Sequence, residues 1–357
     1  MRFMPIGRAR PGERVARTVY ASDGAVLLRA GTTLTGVVIR RLADLGFPGV
    51  YVLDPGEEDW HTPELVSDAT RAAAMARLWH AFRDLQSERR LDVAALYDSV
   101  DNIMEEILSE PRVVVNLADL RSHDSYTFGH SVDVAVLCMS VGRALGLNRP
   151  ALREIGLGAL LHDVGKIGIP QHILSKPGPL TTEEWAVVRE HPRLGFEILR
   201  RYYEIPVPAA HIALQHHERL DGSGYPRGLH DGEIHPYARI AAVADTYDAM
   251  RSTRVYRPGR PSHEVLDFIS RHRGVLFAPE VVDCLLQQVA PYPVGTSVRL
   301  NSGEVGVVAW VRQDRPDRPV VRVTADERGR RPDKPVYRDL SAEERLAIQE
   351  VLDAIEE

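Results

Sequence analysis

Chemistry concentrates at Leu160-Leu161-His162-Asp163-Val164-Gly165-Lys166. The segment before it is apolar at Leu152, Ile155 and Ala159, and His162 continues that inward face three residues on. An imidazole with a carboxylate beside it suits a divalent transition metal, and Lys166, about one turn further, can face an anionic substrate. One histidine on an apolar face is, alone, an ordinary core residue. The rest of the chain changes that weighting. His130 shares a helical face with Val134, Leu137 and Val141; His191 precedes a proline; His216 and His217 are adjacent and followed by Glu218. Asp245 lies in the apolar run Ile240–Ala244, where an unpaired carboxylate is costly to bury. Of 14 histidines, these five fall in segments patterned for burial, with two inward aspartates, and together they are expected to hold metal. The donors are nitrogen and oxygen with no thiolate, which disfavours a structural zinc site and fits a di-iron or di-manganese hydrolase. Two ions ~3.5–4 Å apart would generate a bridging hydroxide at neutral pH and clamp two phosphoryl oxygens, with Asp163 the natural bridging carboxylate.

Two further clusters gain meaning from their position. Asp221-Gly222-Ser223-Gly224-Tyr225-Pro226 would be only a turn elsewhere, but four residues after paired histidines it reads as a wall or lid of the site. Arg251-Ser252-Thr253-Arg254-Val255-Tyr256-Arg257 follows Asp245 and Asp248. Arg254 and Arg257 share one side if the backbone stays helical, placed to hold phosphates bidentately.

Taken together these residues resemble the HD-GYP family, a branch of the HD phosphohydrolase superfamily. The likeness runs through Asp124, Tyr126-Thr127, His130-Ser131, His162-Asp163, Gly165-Lys166, His191-Pro192 and Gly195. It continues through His216-His217-Glu218, Asp221-Gly222, Gly224-Tyr225-Pro226, Asp245, Asp248-Ala249-Met250, Arg254 and Tyr256-Arg257. The resemblance covers about half of the chain, and the full series is far more specific than a bare His-Asp pair. It implies an all-helical bundle, a bi- or trinuclear iron or manganese centre, and hydrolysis of cyclic di-GMP to linear pGpG and/or GMP. The implied metal ligands are His130, His162, Asp163, His191, His216, His217 and Asp245, with Asp163 and Lys166 as the catalytic pair. Lys166, Tyr225, Arg254, Arg257 and Asp248 would contact substrate; a separate reading, compatible with activity, is a scaffold that pairs with a diguanylate cyclase (GGDEF) domain through the Gly224-Tyr225-Pro226 loop. Members with a third metal carry a Glu four residues before the first histidine ligand; Tyr126 stands there, so two metals per chain are expected. Alternative readings are an HD phosphohydrolase acting on another nucleotide such as cyclic GMP-AMP, and a non-catalytic cyclic dinucleotide receptor. Retention of every ligand and of Lys166 favours catalysis over the receptor.

The elements that must position these residues follow from patterning, and the chain reads as mainly α. Residues 118–292 form a helical bundle, with Thr181 to Glu184 as a capping box and Ser262 and Gly274 bracketing another helix. Residues 61–117 are a helical connector whose stripe Val93, Leu96, Val100, Ile103, Ile107 suits either a homodimer seam or the chain's own core. Residues 1–60 form a small α+β module: strands Val15–Tyr20 and Ala25–Leu28 about Asp23-Gly24, a helix Thr35–Leu45 ended by Gly46, and a strand Val50–Leu53. Residues 293–357 form a small β segment closed by a helix from Ser341 to Ile355.

At 357 residues the chain is too long for one compact unit, and 44% apolar content gives it a real core. A net charge of −6 argues against a broad nucleic-acid footprint. Cys138 and Cys284 sit apart in apolar patterns and read as small hydrophobes in a reducing compartment. No signal-peptide core and no membrane-length apolar run is present, so a cytoplasmic location is expected.

Overall fold

A computed structural model describes residues 1–21, 23–53, 65–109, 115, 126–176, 178–252 and 259–352. The N-terminal module pairs β1 (Arg2–Pro5) with a later strand rather than with its sequence neighbour. A short hairpin, β2 (Val19–Tyr20) and β3 (Val26–Leu28), turns at Asp23-Gly24, where Gly24 takes the left-handed region at φ 79°. The expected strand from Val15 is therefore shorter, and Val15 instead bridges Val52. Helix α1 (Gly36–Asp44) is capped by the Thr35 hydroxyl, which accepts from the Val38 amide, and Gly46 ends it at φ 75°. Strand β4 (Gly49–Val52) then closes antiparallel on β1, Met4 opposite Val50.

The bundle opens with α2 (Asp68–Gln86) and α3 (Val93–Ser109). The Glu106 carboxylate of α3 accepts from the Ser67 amide at 2.6 Å and the Ser67 hydroxyl at 3.0 Å, locking α3 to the N-cap of α2. Helix α4 (Tyr126–Ala144) is buried on every side from Ser131 to Gly142, as befits the central rod of a helical core. Around it lie α5 (Arg149–Leu160), α6 (Gln171–Leu174), α7 (Thr182–Val188), α8 (His191–Leu199), α9 (Val207–Gln215), α10 (Pro236–Arg251), α11 (Ser262–Arg271) and α12 (Pro279–Gln288). Asn148 caps α5, the expected capping box of Thr181 and Glu184 forms on α7, and prolines start α8, α9, α10 and α12, where a missing N–H costs nothing. Both cysteines are free thiols, Cys138 buried and Cys284 half-buried. Among the described residues no helix is long and apolar enough to cross a membrane.

The C-terminal segment is one antiparallel sheet in the order β8-β7-β6-β5-β9: β5 (Ser297–Leu300), β6 (Val305–Trp310), β7 (Val320–Ala325), β8 (Val336–Asp339) and β9 (Ile348–Leu352). Its core is Val298, Leu300, Val308, Val321 and Leu340. The helix expected from Ser341 to Ile355 does not form. Residues 348–352 are an edge strand against β5, and 353–357 lie outside the described residues. The guanidinium of Arg318 takes the carbonyls of Leu340 and Leu346, so a side chain satisfies groups a helix would have paired internally. Ile348 and Val351 pack against the sheet core, a spacing that serves a helix face and a bulged strand alike.

The α3 stripe resolves the choice between seam and core. Val93, Leu96, Val100, Ile103 and Ile107 are all buried within the chain's own main core, with α4 and α5 residues. Replacing fully buried Ile103 with Ala should lower the unfolding free energy by about 2–5 kcal/mol. Denaturant unfolding measures this, with sedimentation expected to be unchanged. A near-neutral effect on stability with altered association would mark an exposed seam instead.

Candidate metal centre

Five segments deliver seven side chains to one point. His130 comes from the first turns of α4, His162 and Asp163 from the tight turn after α5, and His191 from the first residue of α8. His216 and His217 follow the end of α9, and Asp245 comes from the middle of α10. The turn carrying Asp163 continues into the 3-10 segment Val164–Gly168 with Lys166. It fits only because residue 165 is glycine: a Cβ there would lie 1.9 Å from the His191 carbonyl oxygen and 2.5 Å from the Gly195 amide nitrogen. Backbone therefore packs directly on backbone where His162 and His191 meet.

The seven donors interlock. His130 Nε2 lies 3.0 Å from Asp245 Oδ1, and His162 Nε2 lies 3.4 Å from Asp163 Oδ2. His191 Nε2 and His216 Nε2 approach Asp163 Oδ1 at 3.4 and 3.9 Å, and His217 Nδ1 lies 3.7 Å from Asp245 Oδ2. His130, His162, Asp163, His191, His216 and Asp245 are all buried. His217 is half-buried. Three groups of donor atoms lie within 4.8 Å of one another: His191 with His216 and His217, His130 with His162 and Asp245, and His162 with Asp163 and His216.

The outer ring nitrogens are spoken for, and this fixes what the inner ones present. His162 Nδ1 donates to the Ala159 carbonyl at 2.7 Å, His191 Nδ1 to the Val188 carbonyl at 2.7 Å, and His216 Nδ1 to the Ile212 carbonyl at 3.0 Å. Because a carbonyl only accepts, each Nδ1 carries the proton, and each neutral ring turns a bare Nε2 lone pair inward. His162 Nε2 is buried with no hydrogen-bond partner, and His191 Nε2 faces His216 Nε2 at 3.3 Å, lone pair against lone pair. Such an arrangement is unfavourable in a dry interior without a cation between the rings. The residues therefore fit divalent metal ions: nitrogen and oxygen donors, no sulfur, and outer nitrogens oriented by backbone.

Titration behaviour agrees. Burial pushes His191 down to about 4 and His216 to about 3, so both are neutral donors at pH 7. Burial also lowers His217. Burial opposes the charge on Asp163, but Lys166 beside it holds the carboxyl well below the usual carboxylate range. Asp245 is likewise held low against burial, by the hydrogen bond from His130. His130 runs the other way: burial disfavours its imidazolium, yet Asp245 and Asp248 raise its pKa.

Lys166 Nζ donates to Asp163 Oδ2 at 2.5 Å, at the site as expected. Tyr225 also reaches it, its ring stacked on His217 with centroids 4.6 Å apart. Asp248, expected against substrate, stands elsewhere. It is wholly buried behind His130, accepting from His130 Nδ1 at 2.6 Å, and so orients that ring. Arg254 and Arg257 lie outside the described residues, as does the side chain of Tyr126 at the start of α4. Sequence reasoning gave Glu218 no role. Its buried carboxylate accepts from the Arg227 and Leu229 amides at 2.8 and 2.9 Å, pinning the Asp221–Pro226 loop against His217. The signal was available: an acid directly after paired histidines and before a Gly-rich turn.

The opposed shifts give a signed pH prediction. His130, with its raised pKa, must surrender a proton before its Nε2 can bind metal, whereas His191 and His216 hold none near neutrality. Manganese titrated into metal-free protein at pH 7 should release protons, and affinity should weaken as pH falls. Calorimetry in buffers of different ionisation enthalpy measures this, and binding without proton release would contradict the assignment.

Comparison with known proteins places these features. Residues 112–281 match the HD domain, and residues 297–357 match the KOW domain associated with HD domains. A cyclic di-GMP phosphodiesterase of Pseudomonas aeruginosa is 39% identical over 252 residues, covering 71% of this chain and 60% of that protein. A cyclic di-GMP phosphodiesterase of Thermotoga maritima is 42% identical over 184 residues, covering 51% of this chain and 50% of that protein. This chain thus spans between half and two thirds of those relatives. Among solved structures, the HDG"Y"P protein Bd1817 from Bdellovibrio bacteriovorus superposes with a TM-score of 0.50 at 17% identity, over 79% of this chain and 97% of that one, which is a likeness of fold. With the His and Asp series in place, the chain belongs to the HD-domain family, in its HD-GYP branch, with a KOW domain following the HD domain.

Proposed function

We propose that the protein is a metal-dependent phosphodiesterase that hydrolyses cyclic di-GMP to linear pGpG and/or GMP. The carrying observation is the inward convergence of bare Nε2 lone pairs on His162, His191 and His216 around Asp163, with their Nδ1 protons tied to backbone. In this reading His130, His162, Asp163, His191, His216, His217 and Asp245 hold two divalent ions, iron or manganese. Bound there, such ions supply Lewis acidity, polarising the phosphoryl oxygens and lowering the pKa of a water toward neutrality.

The chain's own groups do the remaining work. Asp163 has one oxygen toward His162 and the other toward His191 and His216, so it can serve both halves of the centre. Lys166, held beside Asp163 and about a quarter exposed, faces the place where a phosphate must sit. There it stabilises charge developing on the phosphoryl oxygens and gives a proton to the departing ribose oxygen. Hydrolysis adds water across one P–O bond and opens the ring. Asp248 keeps His130 in register, and Glu218 keeps Tyr225 against His217 as the wall of the pocket. Arg254 and Arg257 are assigned to substrate phosphates on the family resemblance. The Gly224-Tyr225-Pro226 loop at the rim is the surface offered to a GGDEF domain, and the cytoplasm is the compartment. With the α3 stripe internal, a homodimer would need another surface.

Turnover of cyclic di-GMP by anaerobically purified protein, followed by chromatography, tests the reading, with cyclic GMP-AMP run in parallel. Release of pGpG or GMP is expected; faster cleavage of the mixed dinucleotide would move the substrate assignment. Asp163→Ala should lose metal and activity with the fold intact. Lys166→Ala should keep its metal and lose about 10²-fold in kcat, as removal of a charge-stabilising donor does. An active, fully metallated Asp163→Ala protein would overturn the ligand set.

A further inference from the structure

Tyr225 is stacked against His217, and the Arg189 guanidinium lies over the same phenol ring, 4.9 Å from its centroid. Arg189 is exposed at the end of α7 and meets no carboxylate among the described residues. The neighbouring acids are engaged elsewhere, Glu184 with Lys176 at 2.6 Å and Glu190 with Arg193 at 2.8 Å. Two other cations at the centre, among the described residues, are held by it. Lys166 is on Asp163, and Arg219 is turned under the site, donating to the His216 and Glu218 carbonyls. A cation at a helix C-terminus gains a little from the helix dipole, but α7 is only seven residues long, and that gain does not explain the placement on Tyr225.

A cyclic dinucleotide carries two phosphodiesters, and only one can occupy the metal centre at a time. We propose that Arg189, braced on Tyr225 one ring away from His217, is a substrate-binding residue that takes the phosphate not being cleaved. The inference rests on the phosphodiesterase reading above. A guanidinium resting over an aromatic ring is restrained, and its fork of N–H donors suits bidentate recognition of a phosphate.

The test is equilibrium binding of cyclic di-GMP by calorimetry, beside kcat, KM and metal content, for wild type, Arg189→Ala and Arg189→Lys. Arg189→Ala should weaken Kd and raise KM by about tenfold or more, the usual worth of a charge-assisted hydrogen bond. Its kcat should change far less, its metal content should be unchanged, and its binding should depend less steeply on salt. Arg189→Lys should recover part of the affinity. Unchanged Kd and KM in Arg189→Ala would overturn the proposal, as would a loss confined to metal content and kcat, which would mean that Arg189 only props Tyr225. Wild type that binds but does not cleave would defeat the phosphodiesterase reading alone, with the variant Kd still deciding the role of Arg189. Wild type that neither binds nor cleaves would defeat both.

Discussion

Two carboxylates and four imidazoles are buried together in an apolar bundle, and the rest of the structure is arranged around that cost. Taking an ion out of water costs several kcal/mol even after relaxation, and Asp163 and Asp245 are both held ionised. Their neighbours repay part of this: Lys166 on Asp163, and His130 between Asp245 and Asp248. The remainder is visible as unmet polarity, an orphaned Nε2 on His162 and two Nε2 lone pairs facing across 3.3 Å. Bound cations convert those liabilities into ligand bonds.

That demand explains the local backbone. Each tethered histidine sits where a carbonyl three or four residues back can hold its Nδ1: Ala159 for His162, Val188 for His191, Ile212 for His216. These carbonyls belong to the last turns of α5, α7 and α9, so the tethered histidines lie just beyond those helix ends rather than mid-helix. The exceptions are His130 in α4 and Asp245 in α10, the latter following the apolar run Ile240–Ala244. Glycine at 165 lets two such termini touch, and glycine at 224 lets the Tyr225 loop lie on the backbone at Glu218 and Arg219.

Much of this was legible in the sequence, for a definite reason. Imidazole and carboxylate side chains in apolar periodic segments contradict their surroundings, and the contradiction at His130, His162 and Asp245 is local enough to read without coordinates. Less legible was the direction in which a side chain faces. Asp248 follows Asp245 by three residues, close enough to suggest a shared task, yet its carboxylate stands behind His130. Arg189 carries no sequence signal, because its position depends on the loop that brings Tyr225 beneath it. The C-terminal misreading has a similar origin. Ile348 and Val351 fit a helix face, and only the capture of the preceding carbonyls by Arg318 and the pairing with β5 make the segment a strand.

The central claim, that the His and Asp ring is a metal centre oriented by its outer hydrogen bonds, is tested most directly by anomalous X-ray diffraction at the iron and manganese edges on anaerobically grown crystals. The account predicts two anomalous peaks inside the ring, approached by Nε2 of His130, His162, His191 and His216 and by the carboxylates of Asp163 and Asp245. A folded protein with an intact ring and no anomalous density within it, after growth with both metals supplied, would contradict the account.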